Sequence, residues 1–320
     1  ILKYSIKKIE NKNEIDHIYY KFIKLSPQRN IFCSKEILQF FFDDLDLYLI
    51  YKNNEINSFI YLLKDLNGSI ISDPFIYSGI INHPKLFMKN ARYNNEVFKI
   101  NELAIAEIFS KYNNLNINLP INFIDVRPFL WFNYGKNNKK TFKVIPRYTS
   151  IINIEKKSIE TIFNEIDDVK RRDIKKVLKD ENYKVSSEIN INLMKKFYKN
   201  TMKKNKGIFN ESSLNKFFDF MTLQAKAKKV IQATTFLNEE PLYSVFLLHD
   251  DITSYYLYGA GNVDIKNRYA GSLSLWHAIK HSSNKELKFV DLEGINSPYR
   301  GEYKLCFGGD IQSYYRVISD

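Results

Sequence analysis

Apolar side chains recur along the chain in two rhythms. Spaced three and four apart, they mark one face of a helix; alternating, they mark a half-buried strand. In the first half, Ile15, Ile18, Tyr19 and Phe22 predict a helix over 14–23. Ser34 ahead of Ile37, Leu38, Phe40 and Phe41 predicts the start of another. Residues 4–9 read as a short strand. Residues 45–52 and 57–64 read as two strands joined at Asn53-Asn54, a hairpin signal. A helix follows over 96–112, with Leu103, Ala104 and Phe109 inward, then strands over 116–118 and 122–126. The polar, basic run 133–140 reads as a surface loop, and 142–154 as a strand leading into the second half.

The second half shows a similar order. Helices are predicted over 158–166, 169–179, 192–203 and 213–228. Three consecutive strands follow over 230–237, 242–249 and 252–259, with turns at 238–241 and 250–251. A helix over 272–282, a strand over 289–293 and a terminal strand over 312–318 complete it. Helices, a meander, a glycine-led helix and a final strand pair describe an α+β chain. The two halves read as two copies of one unit, over 1–150 and 151–320.

Composition narrows the classes. A chain of 320 residues exceeds the roughly 250–300 that one core usually serves, so two packed units are expected. Hydrophobic residues make up 44% and aromatics 15%, which excludes a disordered chain. No apolar run approaches the roughly 18 residues of a membrane helix, and no signal peptide is visible. The chain starts at Ile1 rather than Met, so residues are expected to precede it. Cys33 and Cys306 are the only cysteines, which excludes a disulfide scaffold and points to a reducing, cytoplasmic setting.

Charge is informative only by place. The formal net charge is +12, but 39 of the 48 basic residues are lysine and Asn occurs 34 times, the signature of AT-biased codons. Residues 170–206 hold 13 basic and 4 acidic side chains, so the second half is net negative outside this one segment. Ile174, Val177 and Leu178 form an inward stripe there. Lys170, Arg171, Arg172, Lys175, Lys176 and Lys179 lie mostly off it. Such a face is either simply solvated or meets phosphate.

Several stretches of the second half fall in a recognisable order. They are Tyr256-Leu257-Tyr258-Gly259-Ala260-Gly261, Arg268-Tyr269-Ala270-Gly271-Ser272, Phe289-Val290-Asp291-Leu292-Glu293-Gly294 and Tyr303-Lys304-Leu305-Cys306-Phe307-Gly308-Gly309. Asp167-Asp168-Val169-Lys170-Arg171-Arg172, and in the first half Ser26-Pro27, Ile31-Phe32-Cys33-Ser34, Asp73-Pro74-Phe75 and Ser78-Gly79, join them. Together, from about residue 26 onward, they resemble the FemAB-like branch of the GNAT acyltransferase superfamily. The resemblance implies two tandem GNAT-like domains, each a mixed, mainly antiparallel sheet flanked by helices. It implies an N-acyltransferase that moves an acyl or aminoacyl group onto an amine of a sugar or peptide precursor of a cell-envelope polymer. The donor would be a thioester such as acyl-CoA, used as a co-substrate rather than held permanently, with aminoacyl-tRNA as the alternative. Fem-type enzymes that use aminoacyl-tRNA often carry a long helical hairpin in the second domain, and 213–230 leaves no room for one.

Acyl transfer to an amine needs a proton acceptor, a donor for the oxyanion and an acid for the leaving group. Asp291 and Glu293 alternate on the predicted strand, so they are expected on one face as base or amine site. A solvated strand end, or an ion pair with a nearby lysine, is the competing reading. Lys304, between Tyr303 and Leu305, is a candidate for the oxyanion, or else a snorkelling surface lysine. Tyr256 and Tyr258 are expected on one strand face, with Tyr258 the candidate acid or a core aromatic. Gly271 and Ser272 open a helix whose free N–H groups suit a phosphate, or are an ordinary cap. The resemblance puts a cofactor pyrophosphate at such a start, with Arg268 in the same loop.

For the acceptor, the candidates are Asp125 at a strand end, or simply paired with Arg127; Arg171 and Arg172; and Tyr299-Arg300 in a Pro/Gly-bounded loop. A small-molecule acceptor, linked to lipid or nucleotide, is expected, with tRNA and peripheral contact at the inner face of the membrane also in view. A noncatalytic GNAT-like module that holds nucleic acid or an anionic membrane is the reading from a different class. His277 and His281 sit four apart without a third ligand, so no metal is expected. There is no P-loop and no Gly-x-Ser-x-Gly elbow.

Overall fold

The computed structural model describes residues 4–88, 91–205 and 211–319. The chain divides into two compact units. The first runs up to Arg147 and takes back the C-terminal segment from Ser313; the second is Tyr148–Gln312.

The first unit contains β1 (Tyr4–Lys8), α1 (Glu14–Lys21), α2 (Lys35–Phe40), β2 (Leu45–Lys52), β3 (Glu55–Lys64), β4 (Ile70–Ile71), β5 (Gly79–Asn82), α3 (Ala91–Glu107), β6 (Asn116–Asn118) and α4 (Arg127–Trp131). β7 (Phe142–Asn153) carries the chain into the second unit. β1, β2, β3 and β4 pair in that order, all antiparallel, and β5 also pairs with β3. The β2–β3 hairpin turns on Asn53 and Asn54 at φ 49° and 67°, the left-handed pair a two-residue turn needs. Ser34 caps α2 by accepting the Ile37 N–H. The core joins Ile60, Leu62 and Ile80 of the sheet to Ile100, Ala104 and Phe109. The strand expected over 122–126 is absent. Pro120 starts a turn, Asn122 takes φ 69°, and Pro128 sits in the first turn of α4, all of which oppose a ladder.

The second unit contains α5 (Ile159–Asn164), α6 (Asp168–Val177), β8 (Tyr183–Ser186), α7 (Ile191–Lys204), α8 (Glu211–Lys226), β9 (Val230–Leu237), β10 (Glu240–His249), β11 (Thr253–Gly261), α9 (Ala270–Asn284), β12 (Phe289–Asp291) and α10 (Pro298–Leu305). β13 (Asp310–Ser319) returns the chain to the first unit. The order is β7-β12-β11-β10-β9-β8. Every pair is antiparallel except β11 with β12, which is parallel. The mixed, mainly antiparallel α+β architecture expected from the sequence is therefore present. β8, joined to β9 through α7 and α8, pairs antiparallel beside the expected three-stranded meander. α6 buries Ile174 and Val177, but Leu178 lies at its C-terminal cap and points outward.

α10 replaces the expected Pro/Gly-bounded loop. Pro298 suits the first helical turn, and Gly301 is needed for packing rather than for a turn. A Cβ on Gly301 would lie 2.4 Å from the Ile295 carbonyl oxygen. The glycine thus lets the helix lie directly on backbone. Gly301→Ala is expected to cost about 2 kcal/mol of stability, since backbone must move to admit the methyl. Urea denaturation would measure it, and an unchanged midpoint would contradict the close packing.

Candidate active site

β11 and β12 stay paired for three residues only: Thr253 with Phe289, Ser254 with Val290 and Tyr255 with Asp291. β11 continues to Gly261, whereas β12 stops at Asp291. Glu293 then adopts φ 51°, a left-handed backbone that takes the chain out of the sheet. A crevice at the carboxyl ends of parallel strands is a recurrent ligand position.

Buried ionisable groups converge where the strands part. Asp291 and Glu293 are 1% and 2% exposed. They are not neighbours on one strand face, as the alternation suggested, because the strand ends between them. A turn brings them together instead. Asp291 Oδ1 accepts the Glu293 N–H at 2.8 Å and the Thr149 hydroxyl at 2.5 Å. Lys304 enters from α10 and donates to the Leu292 carbonyl at 2.6 Å and the Glu293 carbonyl at 3.1 Å. Its ammonium lies 4.7 Å from the centre of the Tyr256 ring.

Burial pulls the Lys304 amine down to about 8, although the Glu293 and Asp291 carboxyls oppose the shift. Burial, reinforced by Asp291, pushes the Glu293 carboxyl well above the usual range. Glu293 Oε1 is buried without a hydrogen-bond partner. Burial also raises the phenols of Tyr243, Tyr256 and Tyr303, so these remain neutral hydroxyls at neutral pH. The Ser272 hydroxyl, close to Tyr303, partly offsets the rise of that phenol, but the two make no hydrogen bond of ordinary geometry. Gly259 leaves room for this cluster: a Cβ there would fall 1.6 Å from the Tyr256 hydroxyl.

Other expected residues fall elsewhere. A register shift in the β10–β11 pairing, with Phe246 opposite Tyr258 and Leu247 opposite Tyr256, leaves Leu257 between them without a partner. The bulge places Tyr256 and Tyr258 on opposite faces. Tyr258 packs in an aromatic core against Tyr198, Phe217 and Phe218, away from Lys304. Asp125, in the first unit, takes three hydrogen bonds from Arg127, two of them from its guanidinium at 2.8 and 2.7 Å. Arg171 is bound to Asp168 and Asn164 on its own side of the fold, and Arg172 reaches the Asp168 carbonyl. Tyr299 and Arg300 lie exposed on α10. The Arg300 charge reaches Lys304, Tyr243 and Tyr256. Lys206, at the end of the basic segment, lies outside the described residues.

Arg268 pairs with Asp173 at 2.9 Å and stacks on Tyr269 at 4.8 Å. Asn267 Oδ1 accepts the N–H groups of Tyr269 and Ala270, both at 2.9 Å. The next two donors of α9, on Gly271 and Ser272, have no intrahelical acceptor. Tyr243 and Thr149 are the contributors with no sequence signal. Each lies far along the chain from Lys304 and is recruited by sheet pairing alone.

A buried Glu293 that keeps its proton makes a testable demand. Above about pH 4.3 the unfolded carboxyl ionises while the folded one does not, so stability falls as pH rises. Glu293→Gln should therefore gain stability relative to the parent between pH 5 and 8, by up to ~1.4 kcal/mol per pH unit. Melting temperatures across that range would show it; a pH-independent difference would contradict it.

No protein-family model and no curated protein matches this sequence. Solved structures do match in fold. FemX aligns with TM-score 0.61 at 13% identity over 97% of this chain and 96% of its own. A tandem GNAT protein from the clavulanic acid biosynthesis pathway aligns with TM-score 0.57 at 8% identity, over 99% and 98%. A GNAT-family acetyltransferase from Colwellia psychrerythraea aligns with TM-score 0.52 at 12% identity, over 98% of both chains. With two α+β units and matches spanning nearly its whole length, the chain has the fold of the FemAB-like tandem GNAT proteins.

Proposed function

We propose that this protein is an N-acyltransferase whose reaction takes place where β11 and β12 part. The observation that carries this reading is the buried Glu293 with Lys304, beside the N-terminus of α9, whose Gly271 and Ser272 N–H groups have no intrahelical acceptor. The acceptor amine would meet Glu293, which holds a proton at rest. The minor, ionised form of its carboxyl, with Oε1 free of partners, takes the proton the attacking nitrogen gives up, and its raised proton affinity makes it a strong base. Two N–H groups of Lys304 are spent on the Leu292 and Glu293 carbonyls. The third is left for the oxygen of the tetrahedral intermediate. When the carbon–sulfur bond of a thioester donor breaks, a neutral tyrosine hydroxyl, Tyr256 or Tyr303, supplies the proton to the departing thiolate. The free N–H groups of Gly271 and Ser272 suit a phosphate on the donor, and the helix dipole adds to that preference.

The donor favoured is acyl-CoA, with aminoacyl-tRNA as the alternative. The acceptor is an amine on a sugar or peptide precursor of a cell-envelope polymer. Arg171, Arg172 and Arg268 all have carboxylate or carbonyl partners of their own. A polyanion such as tRNA would have to displace them, which favours the smaller donor.

Activity should fall on the alkaline side as Lys304 loses its proton near pH 8. In Lys304→Met, which keeps the apolar stem, turnover of an acyl-CoA with an amino-sugar acceptor should drop about 100-fold or more. Lys304→Arg should retain partial activity and move the alkaline limb upward. Near-normal turnover in Lys304→Met, or an unmoved limb in Lys304→Arg, would remove Lys304 from the mechanism.

A further inference from the structure

Arg127, Leu130 and Trp131 fall three and four apart on α4, so they share one side of that helix. Tyr134 follows in the turn closed by its N–H on the Trp131 carbonyl at 3.0 Å. The other side is core. Phe129 is fully buried against Phe109, Phe123 and Phe142. Outward, Trp131 is 54% exposed, Leu130 48%, and Tyr134 and nearby Ile124 each 82%. Within this grouping Trp131 is held in place. The Trp131 ring lies 5.4 Å from Phe98, and the Arg127 guanidinium lies 5.4 Å from Trp131.

The surrounding charge is mainly positive. Residues 124–140 contain four basic side chains and one acidic, Asp125, which Arg127 already neutralises. Lys140 turns inward to the Ser110 and Tyr112 carbonyls, leaving Lys136 and Lys139 exposed among Asn137 and Asn138. Glu102, one helical turn beyond Phe98 on α3, is the nearest exposed carboxylate in sequence on that helix.

We propose that this face docks the protein on an anionic lipid bilayer. Ile124, Leu130, Trp131 and Tyr134 would enter the headgroup layer while Lys136 and Lys139 face its charges. Tryptophan and tyrosine favour that layer because their rings are apolar and their tips polar. Each lysine near an anionic surface strengthens binding about fivefold. The rim argues against a protein partner, since lysine is depleted at protein interfaces. No helix among the described residues is long and apolar enough to cross a membrane, so contact through this face would be peripheral. The proposal does not depend on the acyl-transfer reading.

The test uses the full chain with vesicles of phosphatidylcholine alone or with about a third phosphatidylglycerol. Bromine-labelled acyl chains should quench fluorescence from Trp131, whereas Trp276 is only 5% exposed. Binding and quenching are expected with the anionic vesicles alone and should weaken as salt rises. Trp131→Ser with Tyr134→Ser, and separately Lys136→Glu with Lys139→Glu, should each weaken binding about tenfold or more. Absence of vesicle binding would overturn the proposal. So would binding without quenching, or binding lost only in Lys175→Glu with Lys176→Glu on α6.

Discussion

Lys304 brings an ammonium group into the interior of the second unit, where charge is costly. It stays there because the parting of β11 and β12 frees carbonyls that need a donor. Leu292 and Glu293 lie past the last pair of that ladder, and Lys304 satisfies both. Without the lysine, two buried carbonyls would lose their partner; without the break in the sheet, the lysine would have no acceptors. α10 delivers the side chain, and Gly301 allows that helix to rest on the Ile295 backbone. Sheet topology, helix placement and site electrostatics are thus one arrangement.

The same break separates the two carboxyl groups in character. Asp291 accepts hydrogen bonds from Thr149 and the Glu293 backbone. Glu293 has an oxygen with no partner and a neighbouring negative charge. Environments that differ in this way allow two acids to take different roles in one reaction. Lys304, bound to the Leu292 and Glu293 carbonyls, is pulled by burial down to about 8, close to the pH at which it would exchange its proton.

The first unit uses its charges differently. Burial raises the Asp46 carboxyl, but Lys8, Tyr112 and Lys64 outweigh that and hold it below the usual range. Asp125 is closed by Arg127. These pairs fasten strands and turns of that unit. Its most distinctive surface is the aromatic, lysine-rimmed face after Phe129, which is anchored by core packing yet presents its large side chains outward.

Periodicity determined most elements, because burial of one face imposes it wherever a helix or strand packs. It located the Asn53-Asn54 hairpin, the α6 stripe of Ile174 and Val177, and the meander that leads to β11. The order of motifs in the second half pointed to Asp291, Glu293 and Lys304 as a group, and the structure brings all three together. Periodicity failed where the reason for a residue lay elsewhere in the chain. Gly301 looked like a loop signal because its need, the Ile295 carbonyl, is a tertiary contact. Tyr258 stayed open between site acid and core aromatic, and the structure gives the core reading, because a bulge that flips the alternation leaves no local trace. Asp125 looked like a strand end because Pro120 and Asn122 redirect the chain only in the folded backbone. The sequence by itself determined which chemistry was available and which faces would be buried, since both follow from residue type and spacing. Only the tertiary structure decided which groups lose water together, and it is that shared burial that turns an ordinary lysine and glutamate into a candidate site.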